Sequence, residues 1–200
     1  MLVDAPQRPR AYVFIGPPAS GKGTHCRVIG SLPGFCHLST GQAFRRLVER
    51  GDADAGLLAR IATSTASGDL LPDEVAQEAA RRYLTELVAE GRYDPARDIL
   101  LLDGIPRTAG QAAWLGQSAE VLGVYEFRCS PEVSLERAGK RARKENRADD
   151  ANLDIVRHRL EVYARELADL LGSYPAELIT PIDTSQPPHH VLRAVLAPMA

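Results

Sequence analysis

The sequence predicts an α/β fold built on a parallel sheet, and three observations support this prediction. Residues 11–15 form a short apolar run of β-forming side chains, which leads into a glycine-rich turn and then into a segment without helix breakers up to Gly30. Residues 99–102 are continuously apolar, which is typical of a strand buried on both faces of a parallel sheet. At 200 residues and 44% hydrophobic content, the chain is long enough for one such domain.

Helix and strand signals alternate along the rest of the chain. Periodicity and start signals predict further strands at 36–38, 121–127 and 177–182, and helices at 39–48, within 51–67, and at 72–88, 111–122, from 130 onward, 153–170 and 189–197. Pro181 indicates that the last strand is a sheet edge or a strand end. The helices within 51–67 and 72–88 interrupt the strand-helix rhythm, so we expect a side lobe there, with Val88 on the apolar face.

Composition and charge narrow the functional classes. A net charge of −2 and a pI near 6.2 give no general attraction to nucleic acid or to an anionic membrane, so phosphate chemistry requires locally concentrated positive charge. No run is long enough to span a membrane, and residues 1–10 lack the apolar core of a signal peptide, so a cytoplasmic location is predicted. Cys26, Cys36 and Cys129 show no paired metal spacing, which predicts reduced thiols and no structural zinc.

The glycine-rich turn at 16–24, Gly-Pro-Pro-Ala-Ser-Gly-Lys-Gly-Thr, has the features of a phosphate-binding loop. Gly16 and Gly21 allow backbone conformations closed to other residues, so that successive N–H groups can point at an anion beside the positive end of the following helix. Lys22 adds a mobile positive charge. Gly23 stands where this type of loop usually has a hydroxyl ligand for Mg²⁺. The alternative is a glycine-rich turn without a ligand.

Asp103 follows the apolar run 99–102 and therefore lies at the carboxyl end of the predicted buried strand. Open α/β sheets bind ligands at this edge, and carboxylates are preferred Mg²⁺ ligands. We expect Asp103 to hold Mg²⁺, directly or through water, and the missing hydroxyl at Gly23 strengthens that expectation. The alternative is a helix cap.

Basic residues are concentrated in two places. Arg45 and Arg46 lie near the start of a predicted helix, where they oppose the helix dipole, so either an anionic ligand or a surface ion pair accounts for them. A second group contains Arg137, Lys140, Arg141, Arg143, Lys144 and Arg147. A solvated helix face is the alternative to phosphate binding for this second group.

Four stretches, 16–24, 38–45, 102–111 and 137–150, together resemble the adenylate kinases among the nucleoside monophosphate kinases. The resemblance implies a P-loop kinase with a five-stranded parallel sheet flanked by helices. It implies a core at 1–40, 76–136 and 149–200, a monophosphate-binding lobe at about 41–75 and a short lid at about 137–148. It also implies a monomeric, Mg²⁺-dependent enzyme without zinc that transfers the γ-phosphoryl group of ATP to AMP, giving two ADP.

The resemblance also implies residue roles by position. It assigns ATP binding to Gly16, Pro17, Ala19, Ser20, Gly21, Lys22, Gly23, Thr24 and Arg137. It assigns AMP binding to Thr40, Gly41, Arg45, Leu70, Leu71, Gly104, Arg107 and Gln111. It assigns catalysis to Lys22, Arg107, Arg141, Arg147 and Arg159. Asp103 is the metal candidate. Arg157 is the alternative to Arg159, because one extra residue follows Asp150 relative to the usual spacing.

AMP is the expected acceptor nucleotide, because Gln111 can both donate to and accept from an adenine edge and Thr40 matches relatives that use AMP. Two departures from the family pattern are Gln42, where aspartate is usual, and His25, where glutamine is common. A UMP/CMP kinase is one alternative. A catalytically weak nucleotide-binding sensor is the other, and Gln42 is its best support.

Overall fold

The structure is a computed structural model that describes residues 8–51, 55–145 and 148–199. Its strands are β1 Arg10–Ile15, β2 Phe35–Ser39, β3 Ile99–Asp103, β4 Glu120–Arg128 and β5 Ile179–Asp183. Its helices are α1 Lys22–Ile29, α2 Thr40–Arg50, α3 Ala55–Ser67, α4 Asp73–Ala89, α5 Ala109–Ser118, α6 Pro131–Glu145, α7 Ala148–Ala151, α8 Leu153–Gly172 and α9 Pro188–Leu196. Short 3₁₀ turns occupy Ala176–Leu178 and Ala197–Met199.

The five strands form one parallel sheet in the order β2-β3-β1-β4-β5, which confirms the predicted fold class. Asp103 at the end of β3 lies in register with Phe14 of β1 on one side and with Ser39 of β2 on the other. All three of these strands therefore end at the same edge of the sheet. The loops that follow them, including the predicted phosphate-binding loop, meet at that edge.

The core covers both faces of the sheet. Ala11 and Val13 belong to one buried cluster, whereas Tyr12 and Phe14 belong to another, because successive side chains of a strand point to opposite faces. Each fully buried leucine of β3 contributes roughly 1.5–3 kcal/mol relative to exposure. The sheet edge that carries the loops is therefore supported by a rigid core.

A third, smaller cluster contains no residue of the sheet. It contains Leu47 of α2, Ile61 of α3 and Ala79 of α4, with Phe44, Leu57 and Leu71 packed against it. A separate cluster under these helices is what a side lobe requires. Val88, however, is 36% exposed, so its assignment to the buried face was wrong.

Element ends differ from the sequence prediction in a few places. The predicted helix at 111–122 ends at Ser118, because β4 begins at Glu120 and pairs with Arg10 of β1. Residues 177 and 178 belong to a 3₁₀ turn rather than to the last strand. β5 is a sheet edge, as Pro181 indicated. α7 was not predicted.

Polar side chains fix several helix starts. Ser130 Oγ accepts from the Val133 N–H over 3.4 Å at the start of α6, which agrees with the helix predicted from 130 onward. Asn152 Oδ1 accepts from the Asp154 N–H over 2.9 Å at the start of α8. Among the described residues, no helix is both long and apolar enough to cross a bilayer.

Candidate functional site

The loop between β1 and α1 holds Lys22 against its own backbone. Lys22 Nζ donates to the carbonyl oxygens of Gly16 at 2.6 Å and Pro17 at 2.8 Å, and to Ser20 Oγ at 3.2 Å. The ammonium therefore lies inside the curve of the loop. Such a curve presents several N–H groups and a fixed positive charge to one point, which suits a phosphate.

The two glycines of this loop serve different purposes. Gly21 has φ +102°, a left-handed conformation that suits glycine, as predicted. Gly16 does not have such a φ. A Cβ at Gly16 would lie 2.7 Å from Phe127 Cβ, so glycine is required there for close packing against β4. Ala19 adopts φ +57° without being glycine, and loop geometry of this kind is common at binding sites.

The charge of Lys22 is adjustable in the physiological range. Desolvation lowers the pKa of Lys22 to about 8, with Arg107 and Arg141 adding to the shift and Asp103 opposing it. Removing a proton from a lysine is easier where other cations lie close. An arriving polyanion would reverse that effect by favouring the ammonium form.

Asp103 lies beside this loop and faces His37 of β2. His37 Nε2 is 3.3 Å from Asp103 Oδ2. Desolvation raises the pKa of Asp103, but the His37 contact, Lys22 and Arg107 outweigh it and the pKa is lowered on balance. The carboxylate is therefore ionised at neutral pH. Asp103 is not a helix cap, since the N-cap of α5 is Thr108.

The position of Gly23 brings it against the same carboxylate. A Cβ on Gly23 would lie 3.1 Å from Asp103 Oδ2. Asp103 thus stands next to the place where the usual hydroxyl would be. Among the described residues, no group of three His, Cys, Asp or Glu side chains could hold a metal ion by itself.

A cleft of about 1030 Å³ opens at this edge of the sheet. Most residues assigned to nucleotide binding from the sequence line it: Gly16, Ala19, Ser20, Gly21, Lys22, Gly23, Thr24, Gly41, Arg45, Leu70, Leu71, Asp103, Gly104, Arg107, Gln111, Arg137, Arg141 and Arg159. Pro17 is buried and offers its carbonyl to Lys22. Arg147 lies outside the described residues.

Thr40 is 1% exposed, and its Oγ1 has no hydrogen-bond partner within the part of the chain that the structure describes. It lies against Gly104, where a Cβ would come within 2.5 Å of that oxygen. Buried hydroxyls usually have a hydrogen-bond partner, so the Thr40 hydroxyl is an unsatisfied polar group of the described residues at the start of α2.

Arg107 follows β3 and is exposed to the cleft. Its Nε donates to the Gly104 carbonyl oxygen over 2.8 Å. Desolvation and the nearby Arg159 lower the pKa of Arg107 to about 10, while Asp103 opposes the shift. A guanidinium whose neighbour is another guanidinium is stabilised when an anion comes between them.

Arg141 of α6 and Arg159 of α8 share Asp150, which is fully buried. Arg141 Nε lies 2.6 Å from Asp150 Oδ2, and one terminal nitrogen of Arg159 lies 3.4 Å from Asp150 Oδ1. Arg157 instead is exposed, lies outside the cleft lining and pairs with Asp154 at 2.6 Å. The geometry therefore favours Arg159 of the two alternatives.

Arg45 and Arg46 near the start of α2 differ in their surroundings: one faces the cleft and the other forms surface ion pairs. Arg45 lines the cleft. Arg46 pairs with Glu86 at 3.3 Å and Glu90 at 3.4 Å, and its guanidinium carbon lies 5.0 Å from the centre of the Tyr83 ring. Arg46 is thus explained by a surface ion pair, and Arg45 remains available to a ligand.

Arg137 of α6 lines the cleft and is fixed by a hydrogen bond to the backbone. One terminal nitrogen donates to the Thr184 carbonyl oxygen over 2.7 Å, just after β5. Burial of the neighbouring His25 lowers the pKa of that imidazole, and the positive charge of Arg137 adds to the shift. The hydrogen bond thus holds the guanidinium at the cleft, and a guanidinium can stack on another planar group.

The comparison with known proteins agrees with this geometry. The family model described as Adenylate kinase matches residues 14–178. The chain belongs to the adenylate kinase family. It is similar to "Adenylate kinase" of Thermobifida fusca, with 35% identity over 92% of this chain and 95% of the relative, and to that of Thermus thermophilus, with 36% identity over 84% of each chain. "Adenylate kinase" of Mycobacteroides abscessus is 37% identical over 84% of this chain and 87% of the relative.

The sequence did not reveal the hydrogen-bond partners of Gln42 and Gln111, two positions that the adenylate kinase resemblance had singled out. Tyr83 Oη donates to Gln42 Oε1 over 3.1 Å, so the amide that replaces the usual aspartate is itself hydrogen-bonded. The Asp73 carboxylate accepts from Gln111 Nε2 over 2.9 Å. A sequence signal for part of this arrangement existed, since Thr108 and Gln111 have the spacing of a capping box.

Proposed function

We propose that this chain catalyses reversible transfer of the γ-phosphoryl group of ATP to AMP, giving two ADP. The observation that carries the proposal is that four separate elements direct Lys22, Arg107, Arg141 and Arg159 into one cleft beside Asp103. Membership of the adenylate kinase family supports the same reaction. Phosphoryl transfer asks a protein for alignment and positive charge rather than for a covalent nucleophile.

The proposed chemistry needs no general base. An oxygen of the AMP phosphate attacks the γ-phosphorus, and the bond from that phosphorus to the β,γ-bridging oxygen breaks. Phosphate monoesters lose their second proton at about pH 6, so the attacking oxygen is already ionised at neutral pH. Lys22, Arg107, Arg141 and Arg159 would offset the charge that spreads over the equatorial oxygens. Arg147 belongs to this proposed set by position.

The proposed binding sites divide the cleft. ATP would lie on the loop of Lys22 with its adenine against Arg137, and AMP would lie between Arg45, Arg107 and Gln111. The small cluster under α2, α3 and α4 supports a monophosphate-binding lobe at about 41–75. The proposed lid, at about 137–148, would exclude water, which is a competing acceptor of the phosphoryl group.

Magnesium would enter the site with ATP and offset phosphate charge there. The ionised Asp103 beside Gly23 fits this role, because it offers one carboxylate where the loop lacks its hydroxyl. Phosphate oxygens and water would complete the coordination that Mg²⁺ prefers. The proposal includes no zinc.

The proposal also includes a monomer in the cytoplasm that binds neither nucleic acid nor membrane. A net charge of −2 provides no general attraction to polyanionic surfaces. Light scattering after size exclusion tests the oligomeric state.

A panel of monophosphates with ATP tests the substrate. We expect kcat/KM for AMP to exceed that for CMP, UMP and GMP by on the order of a hundredfold or more, since hydrogen-bonded base sites reject bases with other polar groups strongly. Formation of ADP is followed in a coupled assay. A preference for CMP would indicate a UMP/CMP kinase. Tight ATP binding without ADP formation would indicate a sensor.

Alkaline pH is expected to inactivate the free enzyme through Lys22. The ammonium is the useful form, and it loses its proton as pH rises through about 8, so kcat/KM for ATP should fall above that pH. The kcat limb should lie at higher pH, because bound phosphates raise the pKa of Lys22. Initial rates between pH 6 and 10 measure both limbs. A kcat/KM that stays flat to pH 9.5 would contradict the assignment.

A further inference from the structure

The side-chain amide of Gln111 is held in one orientation. Gln111 is 2% exposed, and its Oε1 accepts from the Arg107 backbone N–H over 2.8 Å. Its Nε2 donates to Asp73 Oδ1 over 2.9 Å. A backbone N–H can only donate and a carboxylate only accepts, so the two contacts specify which end of the amide carries the oxygen.

The carboxylate of Asp73 is itself held in place by a hydrogen bond and by close packing. Thr108 Oγ1 lies 3.0 Å from each carboxylate oxygen of Asp73, and the same hydroxyl accepts from the Gln111 N–H over 3.1 Å. A Cβ at Gly110 would come within 2.5 Å of Asp73 Oδ2, so glycine leaves room for the carboxylate. The first turn of α4 and the first turn of α5 are joined through this contact.

The fixed amide retains one N–H on Nε2 and one lone pair on Oε1. Gln111 lines the cleft, so these groups are available to a ligand there. Adenine offers an acceptor at N1 and a donor at the 6-amino group, whereas a 6-oxo purine offers a donor at N1 and an acceptor at O6. The same glutamine could read either edge, but only by exchanging its oxygen and nitrogen.

Exchange of the two ends is opposed by both neighbours. The flipped amide would direct Oε1 at the Asp73 carboxylate and Nε2 at the Arg107 N–H. Each contact would then join two acceptors or two donors around the buried Gln111 side chain, where unpaired polar groups are costly. The surroundings of Gln111 therefore favour one pattern of donor and acceptor.

We infer that Asp73 is a positioning residue that makes this site select 6-amino over 6-oxo purine monophosphates by fixing the polarity of Gln111. The inference rests on the proposed function, in which Gln111 faces the base of the acceptor nucleotide. Asp73 does not belong to the cleft lining and would not touch the nucleotide. It acts through the amide that does.

The test compares AMP with IMP as acceptors for ATP in wild type, Asp73→Ala and Asp73→Asn. Asp73→Ala removes the acceptor that orients Gln111, so the ratio of kcat/KM for IMP to that for AMP should rise at least about tenfold. Asp73→Asn can turn either its oxygen or its N–H toward Gln111, so it no longer specifies which end of the Gln111 amide faces it, and its ratio should rise as well. An unchanged ratio in Asp73→Ala or in Asp73→Asn overturns the inference.

A second pair of variants separates positioning from folding. Thr108→Val removes the hydroxyl that anchors Asp73 and should shift the ratio in the same direction by a smaller factor, whereas Thr108→Ser should not shift it. In a Gln111→Ala background, Asp73→Ala should cause no further change in the ratio. A further change of tenfold there would mean that Asp73 acts without Gln111.

Binding measurements distinguish failure of this inference from failure of the proposed function. Calorimetry gives the affinity ratio for AMP and IMP without turnover. A wild type that prefers AMP in binding yet forms no ADP would defeat the proposed function, and the shift of that binding ratio in Asp73→Ala would still test the inference. Equal affinity of the wild type for AMP and IMP would overturn the inference directly.

Discussion

Replacing Lys22 by alanine is expected to lower kcat by on the order of a hundredfold or more. The ammonium lies within 3.2 Å of three oxygen atoms of the loop, so its position is set before a nucleotide arrives. Stabilisation that is already in place costs no reorganisation when charge develops on the transferred group. Steady-state rates with ATP and AMP measure the loss.

Arg81→Ala is the control for this substitution. Arg81 is an exposed cation of α4 that pairs with Glu78 at 2.9 Å and does not belong to the cleft lining. We expect kcat within about threefold of wild type for this control, because exposed ion pairs contribute little. Circular dichroism would show whether each variant is folded. Turnover of a folded Lys22→Ala at the wild-type rate would refute the role of Lys22.

Arg107→Ala should lower kcat/KM for AMP by at least about a hundredfold, with a smaller effect on KM for ATP. Arg107 follows β3 in the part of the cleft proposed to bind AMP, and repulsion from Arg159 makes an anion between the two guanidiniums favourable. Arg107→Lys keeps the charge but loses the planar fork that binds two oxygens. It should therefore recover only part of the loss.

Arg82→Ala provides the comparison for Arg107. Arg82 is an exposed arginine of α4 that pairs with Glu78 at 2.8 Å, and it should be replaceable with little effect. Equal increases in KM for ATP and in KM for AMP in Arg107→Ala would argue against a specific contact of Arg107 with AMP. Full activity in Arg107→Lys would mean that a point charge is sufficient.

Most of the fold was predictable because its signals are local or periodic. The β1 run, the apolar run of β3 and the helix starts at Pro131 and Leu153 each follow from spacing within a few residues. The end of α5 was not predictable in this way. Ser118 is followed at once by a strand whose start depends on pairing with Arg10, more than a hundred residues away in sequence.

The candidate site was predictable where a residue type and its position in a motif sufficed. Lys22 and Asp103 are examples, since a loop or a strand end places them at the sheet edge. The partners were not predictable. The sequence placed Asp73 only near the start of the helix predicted at 72–88, and its contact with Gln111 depends on how two helices pack. Gly16 was assigned to backbone freedom, whereas its neighbour Phe127 on β4 decides it.

Asp150 gives Arg141 and Arg159, which come from different helices, a common counter-charge with no exposure to solvent. Loss of a buried partner leaves the remaining charges uncompensated, so a change at any of these three positions alters the setting of the other two. Substitutions at these three positions are therefore expected to have interdependent effects on stability. Across relatives, they are expected to change in concert rather than one by one, and drift at Asp150 alone would be selected against.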